Sequence, residues 1–268
     1  MPTVAVDDTR LFYDDRGKGA PILLIHGTGG STNTLGDVAQ RLAESHRVVS
    51  YDRRGFGRSE APAPKPKDYL RRHVDDAATL LRELGAPNAT VFGWSMGGVV
   101  ALGLAARHPS AVSRLVVYEP PLHAKKNMTV SLARALGGAV MLTKVGRYER
   151  AAARFFRFTL AYDTGGNAFD ELDAPTRKLL LASARSVMAE VDAGTGEELS
   201  RDEISRIRCP VGIIVGTRSA KFLQSAADRL AQYHPAARTH RLFGGDHVMS
   251  LRKPDVLVSA IRALMNDA

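Results

Sequence analysis

Cysteine is almost absent from this chain of 268 residues, which contains only Cys209. A disulfide within the chain is therefore impossible, and such sparse cysteine is typical of a reducing compartment. Residues 1–17 are polar and acidic and lack the apolar core of a signal peptide. No run reaches the ~18 apolar residues that a membrane-spanning helix needs. We therefore expect a cytoplasmic protein that does not associate with membranes.

Acidic residues are also in the minority, with 28 Asp and Glu against 37 Lys and Arg, which gives a formal net charge of +9. A basic chain can bind nucleic acids or other anions. The arginines are spread along the whole chain, however, aromatic residues make up only 6% of it, and no nucleic-acid-binding motif is present. We expect a solvated basic surface and no nucleic-acid partner.

Positive charge is concentrated in one predicted helix, where arginines repeat at helical spacing: Arg147, Arg150, Arg154 and Arg157. Most such stripes are simply solvated, although this one could steer an anionic substrate, and the sequence leaves both interpretations open. Metal-ligand spacings and dinucleotide-binding fingerprints are missing, so we expect neither a metal nor a cofactor.

Short apolar runs and helix-forming segments alternate over most of the chain. Residues 21–25 are wholly apolar, which is typical of a central strand covered on both faces. This alternation predicts an α/β fold with a doubly wound, mostly parallel sheet, preceded by a hairpin around Asp7 and Asp8. The prolines between 62 and 66 predict an extended stretch. Further strands are predicted at 46–51, 89–94, 112–118, 209–215 and 238–242, with helices at 33–43, 69–84, 221–233 and 254–265.

The alternation is interrupted between Pro120 and Arg201, where the pattern is helical and contains no convincing strand. Helices are predicted there at 130–142, 145–160 and 175–191. A block of about 80 residues is too long for a simple connection. We therefore predict a helical cap over residues 120–201, inserted into a core of residues 1–119 and 202–268 and covering the carboxyl ends of its strands.

A serine lies where one predicted strand turns directly into a helix, in the segment Gly93-Trp94-Ser95-Met96-Gly97. Such a turn forces unfavourable backbone angles on the serine and requires small flanking residues, which Gly93 and Gly97 provide. The turn directs the hydroxyl towards the helix N-terminus, where backbone N–H groups face a developing negative charge. Ser95 is therefore a candidate nucleophile, and the alternative is a plain glycine-rich turn.

Three further motifs accompany this segment: His26-Gly27-Thr28-Gly29, the loop from Asp52 to Ser59, and Gly244-Gly245-Asp246-His247. With these four motifs in this order, the chain resembles the α/β-hydrolase superfamily. The resemblance covers nearly all of residues 21–118 and 209–265, and the region between them matches only in being helical. It implies the α/β-hydrolase fold with an inserted helical cap.

The resemblance implies a role for several residues. Ser95 would attack a carbonyl carbon, and His247 would take the serine proton, for which an imidazole pKa of about 6.5 is well suited. The backbone N–H groups of Thr28 and Met96 would form the oxyanion hole. The loop from Asp52 to Ser59 is mainly structural in the family. A solvated loop histidine and a plain glycine turn are the alternatives for His247 and Thr28.

The acid of the triad departs from the family's commonest pattern. That pattern has an Asp three residues after the glycine that ends the next-to-last strand, and here the position holds Ser219. Some relatives carry the acid at the end of the strand that follows the nucleophile helix, which is Glu119 in this chain. Glu119 is the expected acid, while another carboxylate, or no acid at all, remains open. Asp246 is a weak candidate, since adjacent side chains in an extended loop point apart.

A serine in this position argues against the dehalogenase and epoxide-hydrolase branches of the family, which use an Asp there. We expect a cofactor-independent serine hydrolase that cleaves a small carboxylic ester, a lactone or a thioester through an acyl-enzyme. Trp94, Phe155 and Phe156 could line its acyl pocket, although the phenylalanines could equally pack within the cap. Ser219 counts modestly against carbon–carbon bond hydrolases, and it keeps open a ligand-binding or non-hydrolytic member of the fold with a degenerate triad.

Overall fold

The computed structural model describes residues 1–60, 68–123, 130–194 and 199–266. The proline-rich stretch at 62–66, which the sequence predicts to be extended, lies outside these ranges. Within them, no helix is both long enough and apolar enough to cross a membrane.

A single sheet of eight strands, counted over the described residues, forms the centre of the fold. The strands are β1 (Thr3–Val6), β2 (Thr9–Arg16), β3 (Pro21–Ile25), β4 (Arg47–Tyr51), β5 (Ala89–Trp94), β6 (Val112–Tyr118), β7 (Val211–Gly216) and β8 (Arg238–Leu242). Strands β4-β3-β5-β6-β7-β8 run parallel in that spatial order. The β1–β2 hairpin extends the sheet antiparallel at the β4 edge. The predicted mostly parallel, doubly wound sheet is confirmed.

Helices cover both faces of this sheet. They are α1 (Gly36–Leu42), α2 (Tyr69–Glu83), α3 (Met96–Arg107), α4 (Val130–Lys144), α5 (Tyr148–Thr159), α6 (Ala168–Glu171), α7 (Ala174–Leu181), α8 (Ala184–Ala193), α9 (Arg201–Ser205), α10 (Lys221–Tyr233), α11 (Met249–Arg252) and α12 (Pro254–Asn266). Alternate residues of β3 belong to different apolar clusters: Leu24 lies in the cluster that includes residues of α1 and α12, and Leu23 in the one that includes residues of α2, α3 and α10. Burial of both faces explains why strands β3 and β7 are continuously apolar, whereas the edge strand β8 is polar and largely exposed.

Helices α4 to α8 lie between β6 and β7, and we refer to residues 120–201 as the inserted segment. The single helix expected at 175–191 is wrong, because α7 ends at Leu181 and α8 begins at Ala184. At the break, the Ser183 hydroxyl accepts a hydrogen bond from the Gly57 N–H at 3.3 Å. This contact joins residues 126 positions apart, so a local pattern cannot reveal it.

Other helix boundaries differ from the sequence expectation for local reasons. Helix α5 begins at Tyr148 rather than near 145, because Gly146 adopts φ 75° and ends the preceding turn. The short helices α6, α9 and α11 were not expected. Helix α9 begins with a capping box between Ser200 and Glu203, which stabilises a helix too short to show periodicity.

The carboxyl ends of the central parallel strands meet at one edge of the sheet. Ile25 of β3 pairs with Gly93 of β5, and Trp94 of β5 pairs with Tyr118 of β6. The loops that follow these strands are therefore neighbours, which is where open α/β sheets place their functional groups.

Candidate active site

Ser95 occupies the sharp turn between β5 and α3. Its φ of 54° and ψ of −122° lie outside the regions that L-residues favour. A Cβ added at Gly93 would collide with the Gly97 carbonyl oxygen, and one added at Gly97 would collide with the Ile25 carbonyl oxygen. The two glycines therefore permit the close approach of strand and helix that holds Ser95 in this strained conformation.

His247 lies in the turn after β8 with its imidazole facing Ser95. The His247 Nε2 atom is 2.9 Å from the Ser95 Oγ atom. Three hydrogen bonds fix the backbone of this turn. The Trp94 indole N–H donates to the His247 carbonyl oxygen at 2.8 Å. The Tyr118 hydroxyl donates to the Asp246 carbonyl oxygen, and the Val248 N–H donates to Asp246 Oδ1 at 3.0 Å. The imidazole is thus held at hydrogen-bond distance from the serine hydroxyl.

Glu119 follows β6 directly and is fully buried. Its Oε2 atom is 2.5 Å from His247 Nδ1, and its Oε1 atom accepts the Gly216 N–H at 2.7 Å. Like Ser95, Glu119 has a positive φ, here 48°. Both carboxylate oxygens are hydrogen-bonded, as a buried carboxylate requires. With Nδ1 donating to Glu119, Nε2 is left to accept a proton from Ser95.

Ser219, at the position where the family commonly has an acid, is buried near the end of β7. Its hydroxyl oxygen has no hydrogen-bond partner within the described part of the chain. The hydrogen-bond partners of the His247 ring are Ser95 and Glu119 instead. The geometry therefore brings together Ser95, His247 and Glu119, and Ser219 takes no part in that arrangement.

The two segments predicted to supply oxyanion donors both adjoin Ser95. Met96 is the first residue of α3, so its N–H lies at the helix N-terminus. On the other side, a Cβ built on Gly27 would be 2.9 Å from the Ser95 Cβ atom, which places the Gly27–Thr28 backbone against the serine. An anion at Ser95 would lie between these two backbone segments.

A buried polar cluster that the sequence did not predict lies behind this loop. The Arg53 guanidinium, which is 0% exposed, donates from its two terminal nitrogens to Glu190 of α8 at 2.6 and 3.0 Å. The Thr28 hydroxyl donates to the same carboxylate at 2.7 Å. We call Arg53, Glu190 and Thr28 the inner contact. Burial disfavours the charged guanidinium, but the charge of Glu190 and its hydrogen bonds outweigh this and raise the pKa of Arg53.

His26 and His73 adjoin the inner contact as neutral groups. Burial, reinforced by the charge of Arg53, lowers the pKa of both imidazoles well below the usual value. His26 Nε2 accepts the Arg53 backbone N–H at 2.9 Å, so Nδ1 carries the proton that it donates to the Gly27 carbonyl oxygen at 2.7 Å. His26 therefore shapes the loop that leads to Thr28.

A second set of polar contacts joins the inserted segment to the loop that carries His247. Arg252 donates to Asp246 Oδ2 at 2.9 Å and to the Tyr162 hydroxyl at 2.6 Å, and it lies 3.1 Å from Glu171. Tyr162 in turn donates to Glu171 at 2.6 Å. We call Tyr162, Glu171, Asp246 and Arg252 the outer contact, because Arg252 and Glu171 remain 33% and 48% exposed.

The aromatic residues predicted to line a pocket lie in different surroundings. Trp94 is buried, with its ring centroid 6.0 Å from that of His247. Phe156 is buried and stacks on Phe169, and a Cβ at Gly29 would meet its ring tip at 2.5 Å. Phe155 is half-buried and contacts the edge of Phe156. Phe156 thus belongs both to the packing of the inserted segment and to the wall beside the Thr28 loop.

The basic stripe lies on the exposed side of α5. Arg157 pairs with Asp170 at 2.9 Å, and Arg154 donates to the Arg134 carbonyl oxygen at 3.1 Å. Among the described residues, no cluster of three or more His, Cys, Asp or Glu is arranged to hold a metal ion.

Residues 20–254 match the family model described as the alpha/beta hydrolase fold. This chain belongs to the α/β-hydrolase family, as the four sequence motifs indicated. A pimeloyl-[acyl-carrier protein] methyl ester esterase of Chromobacterium violaceum is 30% identical over 258 residues, covering 94% of this chain and 96% of that one. The serine hydrolase BPHL of Mus musculus is 27% identical over 258 residues, covering 94% of this chain and 81% of that one.

A solved structure titled "Est816 as an N-Acyl homoserine lactone degrading enzyme" superposes with a TM-score of 0.80, covering 98% of this chain and 99% of that one. The two sequences are 20% identical, so this likeness shows the shared fold. The expected fold class is confirmed by both kinds of comparison.

Proposed function

We propose that this chain hydrolyses a small carboxylic ester or lactone through an acyl-enzyme formed on Ser95. The observation that carries the proposal is the continuous relay from Ser95 Oγ to His247 Nε2, at 2.9 Å, and from His247 Nδ1 to Glu119, at 2.5 Å. A serine hydroxyl becomes a competent nucleophile when an oriented base accepts its proton, and this relay supplies base and orienting acid.

Acylation follows from these positions. Ser95 Oγ bonds to the carbonyl carbon while its proton moves to His247 Nε2, and the carbonyl oxygen becomes an oxyanion between the N–H groups of Thr28 and Met96. The oxyanion then collapses, the bond from carbon to the alcohol oxygen breaks, and His247 gives its proton to that oxygen. In a lactone the alcohol stays attached to the acyl group.

Deacylation repeats the cycle with water. His247 takes a proton from water, the resulting hydroxide attacks the acyl carbon, and the Ser95 oxygen leaves with the proton returned by His247. The carboxylic acid is released. The Glu119 carboxylate orients His247 and stabilises the imidazolium that forms twice in each turnover.

The inserted segment would act as a cap over this site, with Trp94, Phe155 and Phe156 forming apolar walls for the acyl group. Two relatives support the ester and lactone classes by name, one a methyl ester esterase and the other a lactone-degrading enzyme. The arrangement of Ser95, Glu119 and His247 also favours hydrolysis over a ligand-binding protein with a degenerate triad, because such a protein has no need of an activated serine.

Labelling with a fluorophosphonate probe, followed by intact-mass spectrometry, tests the proposal. We expect one adduct on the wild type, none on Ser95→Ala, and labelling slowed at least 100-fold in Glu119→Gln, which keeps the size of the side chain but loses its charge. Ser219→Ala is the matched control and should label at the wild-type rate, since its hydroxyl takes no part in the relay. Turnover of a panel of esters and lactones then identifies the acyl chain.

A folded wild type that forms no adduct and turns over no ester would overturn the hydrolase proposal in favour of ligand binding. Labelling that depends on Ser219 rather than Glu119 would overturn the assignment of the acid.

A further inference from the structure

The inner contact joins the inserted segment to the residue proposed to supply one oxyanion donor. A single oxygen, Glu190 Oε2, accepts both the Thr28 hydroxyl at 2.7 Å and an Arg53 terminal nitrogen at 3.0 Å. Glu190 is 3% exposed. A carboxylate at this depth requires its cation and its hydrogen bonds, so the three side chains are ordered together.

Arg53 also holds the beginning of the same loop. Its Nε donates to the His26 carbonyl oxygen at 3.1 Å, and its backbone N–H donates to His26 Nε2 at 2.9 Å. The stretch from His26 to Thr28 is therefore fastened at one end by Arg53 directly and at the other end by Glu190.

Thr28 transmits the position of this carboxylate to the backbone. Threonine is β-branched and stiff about χ1, so a fixed hydroxyl restricts the orientation of its own Cα and of the peptide N–H beside it. The bidentate pairing with Arg53 meanwhile neutralises Glu190, so that its charge does not oppose an oxyanion nearby.

We propose that Glu190 is a positioning residue of the oxyanion hole, because the packing of α8 against the core orients the Thr28 N–H. The site is then competent only while the inserted segment is packed against the core. This inference rests on the proposed hydrolase function. It assigns to a residue of the inserted segment an effect on the chemical step, in addition to the packing of an acyl group.

The test compares Glu190→Gln, Thr28→Val and their combination in steady-state turnover of p-nitrophenyl butyrate. Loss of one oxyanion donor costs roughly 100- to 1,000-fold in kcat, and imperfect alignment costs less. We expect Glu190→Gln to lower kcat about 10- to 100-fold and Thr28→Val about 10-fold, each with KM changed less than about threefold. The double variant should be close to Glu190→Gln alone, because Glu190→Gln already weakens the Thr28–Glu190 hydrogen bond that Thr28→Val removes.

A transition-state mimic separates this role from a purely structural one. A trifluoromethyl ketone forms a tetrahedral adduct on an activated serine, and its inhibition constant should rise in each variant by the factor lost in kcat/KM. Met188→Ala, on the same helix and buried in the apolar core, is the matched control. It should lower the Tm by an amount comparable to that of Glu190→Gln while leaving kcat within twofold of the wild type.

Two results would overturn the inference. One is a kcat of Glu190→Gln and of Thr28→Val within twofold of the wild type. The other is a kcat of Met188→Ala that falls as far as that of Glu190→Gln at equal loss of Tm. Should Glu190→Gln fail to fold, Thr28→Val alone decides, since it removes the contact from the core side. Failure of the proposed function shows differently, as a wild type without turnover or adduct.

Discussion

The inserted segment is fastened to the core at two places, and the two differ in their exposure to water. The inner contact holds the Thr28 loop through side chains of Arg53 and Glu190 that are 0% and 3% exposed. The outer contact holds the His247 loop through Arg252 and Glu171, which are 33% and 48% exposed. The inserted segment thus contacts both the Thr28 loop and the His247 loop. It does so through a buried ion pair at the first and a solvent-exposed ion pair at the second.

This difference determines what each contact can contribute. A half-exposed pair is screened by solvent and contributes little to stability. A fully buried ion pair carries a large desolvation cost. Each charge then depends on its partner, because water cannot solvate either one when the other is removed. Loss of the inner contact should therefore lower the free energy of unfolding more than loss of the outer contact. Three measurements test this difference.

Removal of one inner partner is expected to have the largest effect. Glu190→Leu leaves the Arg53 guanidinium buried without its counter-charge and should lower the free energy of unfolding by about 3–5 kcal/mol. Combining it with Arg53→Met removes the buried charge altogether and should recover most of that loss. Denaturant unfolding measures both variants. A double variant as unstable as the single one would mean that packing, rather than the unpaired charge, governs this region.

Acidification should act next, through the neutral histidines beside the inner contact. Burial and the charge of Arg53 lower the pKa of His26 and His73 in the folded protein, whereas in the unfolded chain they bind protons below a pH of about 6.5. The unfolded state therefore takes up more protons, and stability is retained above pH 6.5 and falls as the pH drops, by up to about 1.4 kcal/mol per pH unit for each histidine.

His73→Phe keeps the edge-to-face packing against Tyr69 and removes one of these groups. Its stability, measured by denaturant unfolding between pH 7.5 and 5, should decline less steeply than that of the wild type. An unchanged slope would show that His73 does not contribute to the pH dependence.

The smallest effect is expected at the outer contact. Glu171→Gln removes the charge opposite Arg252 but keeps an acceptor for the Tyr162 hydroxyl, so the loss should be at most about 1 kcal/mol. The Tm difference from the wild type should shrink further between 0.05 and 0.5 M salt, on the order expected from screening. A loss comparable to that of Glu190→Leu would abolish the contrast between the two contacts.

Much of the fold could be predicted from local patterns. The strands predicted at 89–94, 112–118 and 238–242 have the same bounds in the structure, because each is a compact run bounded by turn residues. The single helix expected at 175–191 was wrong, and its interruption near Ser183 coincides with a contact to Gly57, 126 residues away. Periodicity of apolar residues shows which face of a helix is buried. It carries no information on hydrogen-bond partners that are distant in the sequence.

The candidate site divides in the same way. Ser95 could be found from its strand, its helix and the two glycines. Glu119 came mainly from the resemblance, supported by the need of a carboxylate at the end of a buried strand for a partner. Its role stays a prediction beside the observed contact with His247. Glu190 gave no signal, because a glutamate in an amphipathic helix is indistinguishable from a solvated one. Arg53, 137 residues away, is what distinguishes it, and only the folded chain brings the two together.

Trp94 is the only tryptophan of the chain, and its indole N–H is bound to the His247 backbone carbonyl. The tryptophan fluorescence of the protein therefore arises from one indole, which contacts the residue proposed as the base. An imidazolium close to an indole quenches the indole's emission. Proton transfer to His247 and displacement of the His247 loop should therefore both change the emission of Trp94. The protein carries its own optical reporter at the place where its chemistry is proposed to occur.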